Sequence, residues 1–379
     1  MGYSVYAISI VWLTYSVTHD LFSVGVVLFI ESAAYTLTFL TGPIVDRVRN
    51  QRTIFVASYP IQAVAAAVIA VGVWRGFLTL PLLYALVAVL AILWDMTWAA
   101  ANAAPGVLLT ADEQFAAGGV SGVIGGALSI VGFAVGGSLI LVVGAEGGML
   151  LYALLLAAAT VLALPLVISP PSSAETSFLA SFREGWKLVF GGEGRPLLQL
   201  AAIDSVYGFL TWATPLVITV VATESYHGST LGYAALYTTD VVGGVVAGLV
   251  LGRWNPRGRV GLILAGGLFL TGIAFVLAVV LPAVLWLGAV TWFGVGFSAS
   301  LYLDTKYVFF RGAVAPEKIG RLVSNMYVFP GVAGSIGALV ISSIATGTTP
   351  LVLGVGIGVG FLAASAAAFA LPGVRRMRY

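Results

Sequence analysis

The sequence predicts an all-α integral membrane protein with about twelve transmembrane helices, arranged as two pseudo-symmetric six-helix bundles. Three observations lead to this class. Apolar residues make up 60% of the 379-residue chain and charged residues 8%, whereas soluble domains carry about 25% charged residues. The apolar residues form about twelve runs, most of them near the roughly 20 residues that span a bilayer. Sixteen of the seventeen Lys and Arg residues lie in every second gap between these runs.

The alternation of basic gaps also predicts the topology of the first half, residues 1–168. Short loops rich in Lys and Arg remain cytoplasmic during insertion. Both termini are therefore expected on the cytoplasmic side of the cell (plasma) membrane. Arg75 is the one basic residue expected on the outer side. Each segment ends where charged or turn-forming residues interrupt the apolar run. The six segments are Tyr3–Val17, Leu21–Val45, Thr53–Trp74, Leu78–Ala101, Ala116–Val143 and Gly148–Val167.

A polar stretch over 169–196 is expected to link this half to the second, residues 197–379. The stretch begins with two prolines, which favour extended backbone. It continues with apolar and charged residues at helical spacing around Trp186 and Lys187, a pattern typical of an amphipathic helix on the inner membrane surface. The segments of the second half are Leu197–Thr223, Thr230–Leu251, Val260–Val280, Val284–Asp304, Arg321–Ile344 and Leu351–Leu371.

The chain repeats itself. Residues from Gly42 to Arg47, after segment 2, align with those from Gly248 to Arg253, after segment 8 and 206 positions later. Two six-helix halves of equal length follow from this offset. Parallel six-helix repeats with a binding site between them are an architecture of secondary transporters.

The loop after segment 2 resembles the signature of the major facilitator superfamily. It reads G-x-x-x-D-R-x-R-x-x-R from Gly42 to Arg52, and a weaker second copy begins at Arg253. In a twelve-span chain with a six-plus-six repeat, this resemblance covers the whole sequence. It implies a fold of two bundles and an inner gate in which Asp46 holds helix ends together; the alternative is that Asp46 is only one of the charges that set the topology. The residues that the resemblance assigns to this gate are Gly42, Asp46, Arg47, Arg52 and Arg253.

Two further stretches are similar to the drug, macrolide and siderophore exporters of that superfamily. Gly132-Phe-Ala-Val-Gly136-Gly137 in segment 5 is similar to the Gly-Pro-x-x-Gly-Gly antiporter signature, and the stretch from Phe182 to Val189 looks like the approach to segment 7 in macrolide and siderophore exporters. The resemblance implies export in exchange for protons, with segment 5 at the interface where the halves rock. Closely spaced glycines also let helices pack tightly, and this alternative stays open.

Acidic residues inside the apolar segments are the main functional candidates. Glu31, Asp95, Asp204 and Asp240 lie well within segments, and Asp304 lies near the inner end of segment 10. An acid at the bilayer centre costs roughly 2.5–3.5 kcal/mol on insertion scales. No Lys or Arg is expected at comparable depth, so these carboxyls are interpreted as proton carriers or cation ligands. The alternative is a neutral acid bonded to neighbouring carbonyl groups.

Aromatic residues accompany these acids. Stacking and cation–π contact would suit an amphipathic cation, whereas an interfacial aromatic belt is the alternative. Glu31 and Asp240 occupy related positions in the two halves, and each has a tyrosine within one helical turn. The expected cavity aromatics are Trp12, Tyr15, Tyr35, Trp94, Trp98, Tyr207, Trp212, Tyr237, Trp292 and Tyr302.

The remaining features exclude other classes. No nucleophile–base set and no nucleotide-binding loop are present, so an enzyme is not expected, nor is a cofactor. His19 and His227 lie in matching outer loops, and no metal site is expected there. The net charge of +2 gives no reason to expect a nucleic-acid partner. The expected partners are a small-molecule substrate, protons and the lipid bilayer, and the protein is expected to be a monomer.

The function expected from these features is secondary active transport, with proton-coupled export of an amphipathic or cationic organic compound by alternating access. The alternatives are a uniporter or a metal or siderophore exporter of the same fold, in which the acids would be cation ligands. A non-transporting membrane receptor or scaffold is disfavoured because it would gain nothing from acids in the membrane.

Overall fold

Helices are the regular elements throughout the described part of the chain. The structure is a computed structural model. It describes residues 1–38, 45, 48, 50–108, 111–166, 183, 186–187, 189–191, 195–254, 259–281, 283–313, 316–375 and 377. Side chains are described for all of these except 103–108, 111–120, 122–123, 195, 254, 311–313, 316–321 and 324.

The helices of the first half are α1 Gly2–Thr18, α2 Leu21–Thr36, α3 Arg52–Arg75, α4 Leu80–Leu108, α5 Ala111–Val142 and α6 Ala145–Ala163. Those of the second half are α7 Arg195–Thr211, α8 Thr214–Val220 with a π-helical turn at Val221–Ser225, α9 Thr230–Trp254, α10 Val260–Val280, α11 Leu285–Ala313, α12 Pro316–Ala345, α13 Pro350–Ala370 and α14 Pro372–Arg375. Within the described residues, ten helical stretches are long and apolar enough to cross a membrane, and α2 is a shorter apolar helix. The chain is a multi-pass membrane protein.

The chain forms two compact units. The first unit comprises Met1–His19 and Ile30–Phe178, and the second comprises Asp20–Phe29 and Leu179–Tyr379. The first part of α2 is therefore grouped with the second unit. The predicted linker at 169–196 lies largely outside the described residues.

Helix α1 packs against α5 and α6 in the first unit, and glycines make this close approach possible. A Cβ atom at Gly136 would lie 2.7 Å from Cγ2 of Ile8, and one at Gly132 would lie 2.6 Å from the carbonyl oxygen of Met1. Gly137 is buried as well. Small residues let helix backbones approach in this way. Gly132 and Gly136 thus lie at a tight packing contact within one unit, and their role at a rocking interface stays a prediction.

In the second unit α9 packs against α11, α10 against α11 and α13, and α7 against α12. The α9–α11 contact is close because a Cβ atom at Gly243 or Gly296 would collide with the backbone of the facing helix, at Phe293 or Asp240. The described part of the linker also belongs here. Its Trp186 ring packs edge-on to Phe329 of α12, with centroids 5.7 Å apart.

Two predicted segments differ from the observed helices. Segment 7 is broken between Thr211 and Thr214. The cause is Pro215, which has no N–H group to donate to the carbonyl of Thr211 and whose ring clashes with that carbonyl in a continuous helix. Segment 10 was expected to end at Asp304, but α11 continues to Ala313. By contrast, α10 has the predicted limits, Val260–Val280.

Both histidines occupy left-handed backbone positions, with φ of 50° at His19 and 53° at His227. His19 ends α1, and its backbone N–H donates to the carbonyl of Tyr15 at 2.7 Å. Asp20 then begins α2, because its carboxylate accepts hydrogen bonds from the backbone N–H groups of Phe22 at 3.1 Å and Ser23 at 2.9 Å. This is the usual arrangement of a helix N-cap.

Candidate functional site

A buried ion pair joins α7 and α11 in the second unit. Nζ of Lys306 lies 2.8 Å from Oδ1 and 2.9 Å from Oδ2 of Asp204. The Lys306 side chain is 2% exposed and that of Asp204 is 1% exposed. Both charges are therefore withdrawn from solvent, and each depends on the other for compensation.

The expectation that no basic residue lies at the depth of the acids is therefore wrong for Asp204. Segment 10 was expected to end at Asp304, with Lys306 in an inner loop. In the structure α11 continues for two more turns, which places Lys306 inside the helix. A signal was present, because Lys306 is followed by Tyr-Val-Phe-Phe, an apolar run that is unusual for a cytoplasmic loop.

Tyrosines surround the ion pair. The hydroxyl of Tyr302 donates to Oδ1 of Asp204 at 3.1 Å. Tyr302 and Lys306 are four residues apart and so lie on the same face of α11. The Tyr207 ring stacks on the Tyr302 ring with centroids 4.6 Å apart. The Lys306 cation lies 5.8 Å from the Tyr302 centroid and 5.4 Å from that of Tyr307, within cation–π range.

Two further acids of the second unit lie near this pair. The hydroxyl of Tyr207 is within electrostatic range of the carboxylates of Asp204, Asp240 and Asp304. That hydroxyl is buried and has no hydrogen-bond partner among the described residues. Asp240 and Asp304 are each half-buried, and Asp304 lies beside Gly248 of α9. The region therefore holds three carboxyls and one described basic group, Lys306.

Glu31 lies in the first unit, among tyrosines. The phenols of Tyr3, Tyr6 and Tyr152 are all within electrostatic range of its carboxyl group, and that of Tyr6 comes within reach of a hydrogen bond. Nevertheless, Oε1 of Glu31 and the hydroxyl of Tyr6 form no hydrogen bond with any described residue in this conformation. The sequence pattern had indicated Tyr35 as the tyrosine next to Glu31, whereas the structure places Tyr6 of α1 there.

Asp95 is 1% exposed and accepts a hydrogen bond from Oγ1 of Thr38 at 2.7 Å. The same hydroxyl also lies 2.6 Å from the carbonyl oxygen of Tyr35. This contact joins α4 to the end of α2. Asp95 is thus held by a hydroxyl group from another helix.

The structure places the remaining predicted aromatic residues in several different surroundings. Trp94 stacks on Tyr3 with centroids 4.4 Å apart, and its ring also lies 6.3 Å from that of Trp98. Trp292 is completely buried edge-on to Phe275, which places it in the core of the second unit. The other predicted aromatics lie on α1, α2, α9 and the α7–α8 junction: Trp12, Tyr15, Tyr35, Tyr237 and Trp212.

The proposed inner gate is only partly described. Gly42, Asp46 and Arg47 lie outside the described residues. Arg52 begins α3 and is half-buried, and its backbone N–H donates to Oδ1 of Asn50 at 3.0 Å. Arg253 is exposed near the end of α9. The gate therefore remains a prediction.

No protein-family model and no curated protein matches the sequence. Solved structures do match it over almost its whole length. A POT family transporter in complex with 5-aminolevulinic acid has a TM-score of 0.76 at 12% identity, over 98% of this chain and 93% of that one. The nucleoside transporter NupG has a TM-score of 0.72 at 13% identity, over 98% of this chain and 96% of that one.

A POT family transporter in complex with a thioalcohol-conjugated peptide also matches, with a TM-score of 0.72 at 11% identity over 96% of this chain and 92% of that one. The protein therefore has the major facilitator fold, and the fold expected from the loop motif and the repeat is confirmed. At identities this low the likeness establishes the fold alone. The narrower resemblance to exporters receives no support from these structures and remains a prediction.

Proposed function

We propose that the protein is a secondary active transporter that uses protons to move an organic solute by alternating access. The major facilitator fold over nearly the whole chain supports transport, and the observation that carries the coupling is the Asp204–Lys306 pair. Apolar residues of similar volume often hold a protein together as well as a buried ion pair does. A purely structural bundle therefore has no need of these two charges.

The pair has the properties of a proton-operated switch. A proton bound to Asp204 removes its charge and with it the attraction that holds Lys306. Lys306 would then favour a conformation in which another acid compensates it, and the candidates are Asp240 and Asp304, which like Asp204 lie within electrostatic range of the Tyr207 hydroxyl. A ligand, here a proton, shifts a conformational equilibrium only if it binds one state more tightly. The proposal meets this condition through the contact itself, because the charge on Asp204 compensates Lys306 in the observed conformation.

The substrate is proposed to be an amphipathic or cationic organic compound, exported against protons. The excess of acids over bases within the described spanning helices supports a positive charge on the substrate. Glu31, whose Oε1 atom has no hydrogen-bond partner among the described residues, is its proposed ligand, and Asp95 and Asp240 remain further candidates. A uniporter or a metal or siderophore exporter of the same fold is the alternative.

Transport by purified protein in liposomes tests this proposal. Benzamidine is a suitable probe because it is aromatic and stays charged near neutral pH, so a pH gradient alone does not concentrate it. With the membrane potential clamped by potassium and valinomycin, an acidic interior should drive benzamidine uptake if protons and substrate move in opposite directions. Uptake driven by an acidic exterior would instead establish symport and refute export by antiport.

Two variants complete this test. Asp204→Asn should abolish gradient-driven uptake, while Glu224→Gln, which changes an exposed acid after α8, should behave like the wild type. If uptake of benzamidine and of the other organic cations tried ignores the pH gradient in both orientations, the protein is not proton-driven. Uptake of Zn²⁺ or a ferric siderophore in its place would favour the alternative.

A further inference from the structure

The first unit contains a second set of buried polar groups that are left without partners. Among the described residues, the hydroxyls of Tyr6 and Ser9, Nε2 of Gln62 and Oε1 of Glu31 have no hydrogen-bond partner. Tyr6, Ser9 and Gln62 are 3%, 0% and 0% exposed. Buried polar groups are normally satisfied, and leaving one unpaired costs about 1–3 kcal/mol. The phenol of Tyr6 comes within reach of a hydrogen bond to Glu31, whereas Ser9 and Gln62 have no such neighbour, so a polar ligand in this region would satisfy groups that the described residues leave unsatisfied.

The contacts among these residues place them together. The ring of Tyr6 on α1 lies 5.1 Å from that of Tyr152 on α6, and the hydroxyl of Tyr152 donates to Oε1 of Gln62 on α3 at 3.2 Å. Ser9 follows Tyr6 by three residues on the same face of α1. Glu31 on α2 is within electrostatic range of both tyrosines. Four helices of the same unit thus contribute to one site.

The free atoms define the chemistry of a ligand. Oε1 of Glu31 can only accept from an N–H or O–H group when the carboxyl is ionised, and an ammonium group satisfies it best. Nε2 of Gln62 is a donor, because Oε1 of the same side chain already accepts from Tyr152, so it requires an oxygen acceptor. Tyr6 and Ser9 can complement either group. A ligand that fits carries an ammonium group and a nearby oxygen.

Aromatic rings continue from this polar site. The Tyr3 ring lies 6.0 Å from that of Tyr6 and stacks on Trp94, whose centroid is 4.4 Å away. Faces of tyrosine and tryptophan attract cations and stack on other rings. An aromatic group on the ligand would therefore find a stacking surface next to the position of its ammonium group.

We propose that Glu31, Tyr6, Gln62 and Ser9 form the substrate-recognition site of the first unit, and that it selects aromatic amines with an oxygen near the ammonium group. Glu31 binds the ammonium group, and Gln62, oriented by Tyr152, binds the oxygen. This inference rests on the proposed function and deepens it by naming a substrate class. It also separates substrate recognition at Glu31 from proton coupling at Asp204.

Binding of three matched compounds to the detergent-solubilised protein tests the site. Phenylalaninol carries both groups, 1-phenylbutan-2-amine replaces the hydroxyl with a methyl group, and N,N,N-trimethylphenylalaninol has no N–H. Affinities follow from the rise of the unfolding temperature with ligand concentration. Phenylalaninol should bind about fivefold more tightly than the methyl analogue, as expected for one neutral hydrogen bond, and at least about tenfold more tightly than the trimethyl compound.

Variants assign these differences to residues. In Gln62→Leu, the affinities for phenylalaninol and its methyl analogue should become about equal. In Glu31→Gln, the binding of both compounds should weaken to the same extent. Glu146→Gln, at the start of α6, is the matched control and should change neither affinity. If Gln62→Leu does not fold, the ratios measured on the wild-type protein still decide the ligand class.

Three outcomes would overturn the site: equal affinity for phenylalaninol and its methyl analogue, a ratio that persists in Gln62→Leu, or no stabilisation by any of the compounds, which would indicate that water alone occupies the free polar atoms. Binding in detergent requires no proton gradient. If the compounds bind with the expected selectivity but no proton-driven transport is found, the proposed function is refuted and the binding site is supported. If proton-driven transport is found but the three compounds bind equally well, the binding site is refuted and the proposed function is supported.

Discussion

Neutralising Asp204 should destabilise the protein far more than neutralising both members of its ion pair. At the observed N–O distance of 2.8 Å, two unit charges attract each other by roughly 6 kcal/mol at an effective dielectric constant of about 20. The desolvation of two buried ions largely offsets this attraction, so the net contribution of the intact pair is small. Removal of one partner leaves the other charge buried and uncompensated, which costs about 3–5 kcal/mol.

The assay is a double-mutant cycle on the detergent-solubilised protein, with Asp204→Asn, Lys306→Met and the double variant. Each single variant should lower the apparent unfolding temperature by several degrees, and Lys306→Met should be at least as harmful because it leaves the carboxylate alone. The double variant should recover most or all of the loss. Since unfolding of membrane proteins is often irreversible, the comparison is made at one scan rate.

Additive effects would refute this reasoning, because residues in contact must show a coupling energy. Single variants as stable as the wild type would also refute it, since they would mean that the two charges are hydrated in the folded protein. The charge-reversed variant Asp204→Lys/Lys306→Asp provides a further check. It restores the attraction, and it should be more stable than a variant carrying Asp204→Lys alone.

Three other predictions follow from single contacts. Burial disfavours the ionised form of Asp20, but its hydrogen bonds to the start of α2 outweigh this and hold its pKa below the ordinary value. Asp20→Ala should therefore cost about 1 kcal/mol at neutral pH, and the difference between thermal melts of variant and wild type should shrink below about pH 4, as the carboxylate loses its charge. Gly136→Leu should lower the unfolding temperature, because its Cβ atom would lie 2.7 Å from Ile8, and overpacking costs about 1–3 kcal/mol; an unchanged melt would show that α1 and α5 can separate freely. In this cysteine-free chain, a cysteine at the exposed position Arg75 should react with an impermeant thiol reagent in intact cells, whereas one at the exposed position Arg259 should react only in inverted membrane vesicles; labelling of both in the same preparation would contradict the topology.

The helices were predictable because apolar runs bounded by polar gaps leave few alternatives in a bilayer, where every backbone polar group must be bonded within the chain. Segment 9 illustrates this, since its limits match α10 over Val260–Val280. The break in segment 7 was also within reach of the sequence. Pro215 interrupts the apolar run, and proline disrupts the hydrogen bonds of the preceding turn.

The site was less predictable because it depends on which side chains of different helices meet. Glu31 could be recognised as an unusual acid in an apolar segment, but Tyr6 and Gln62 have no local feature that distinguishes them. Their grouping follows from the contacts of α1, α3 and α6. Lys306 was missed for a different reason. Hydropathy ends a segment where charges cluster, and the pair of charged residues at 304 and 306 resembled the end of a helix.

The proposals assign opposite purposes to two acids of one fold, Glu31 and Asp204. Asp204 has its hydrogen-bonding oxygens occupied by Lys306 and Tyr302. In the proposal, loss of the charge on Asp204 weakens its hold on Lys306, which suits it to a switch rather than to a ligand. Glu31 has an oxygen with no partner among the described residues, so a ligand can bind without first breaking an interaction. An amide in place of Glu31 should consequently impair binding in every assay, whereas an amide at Asp204 should leave binding intact and uncouple transport from the proton gradient.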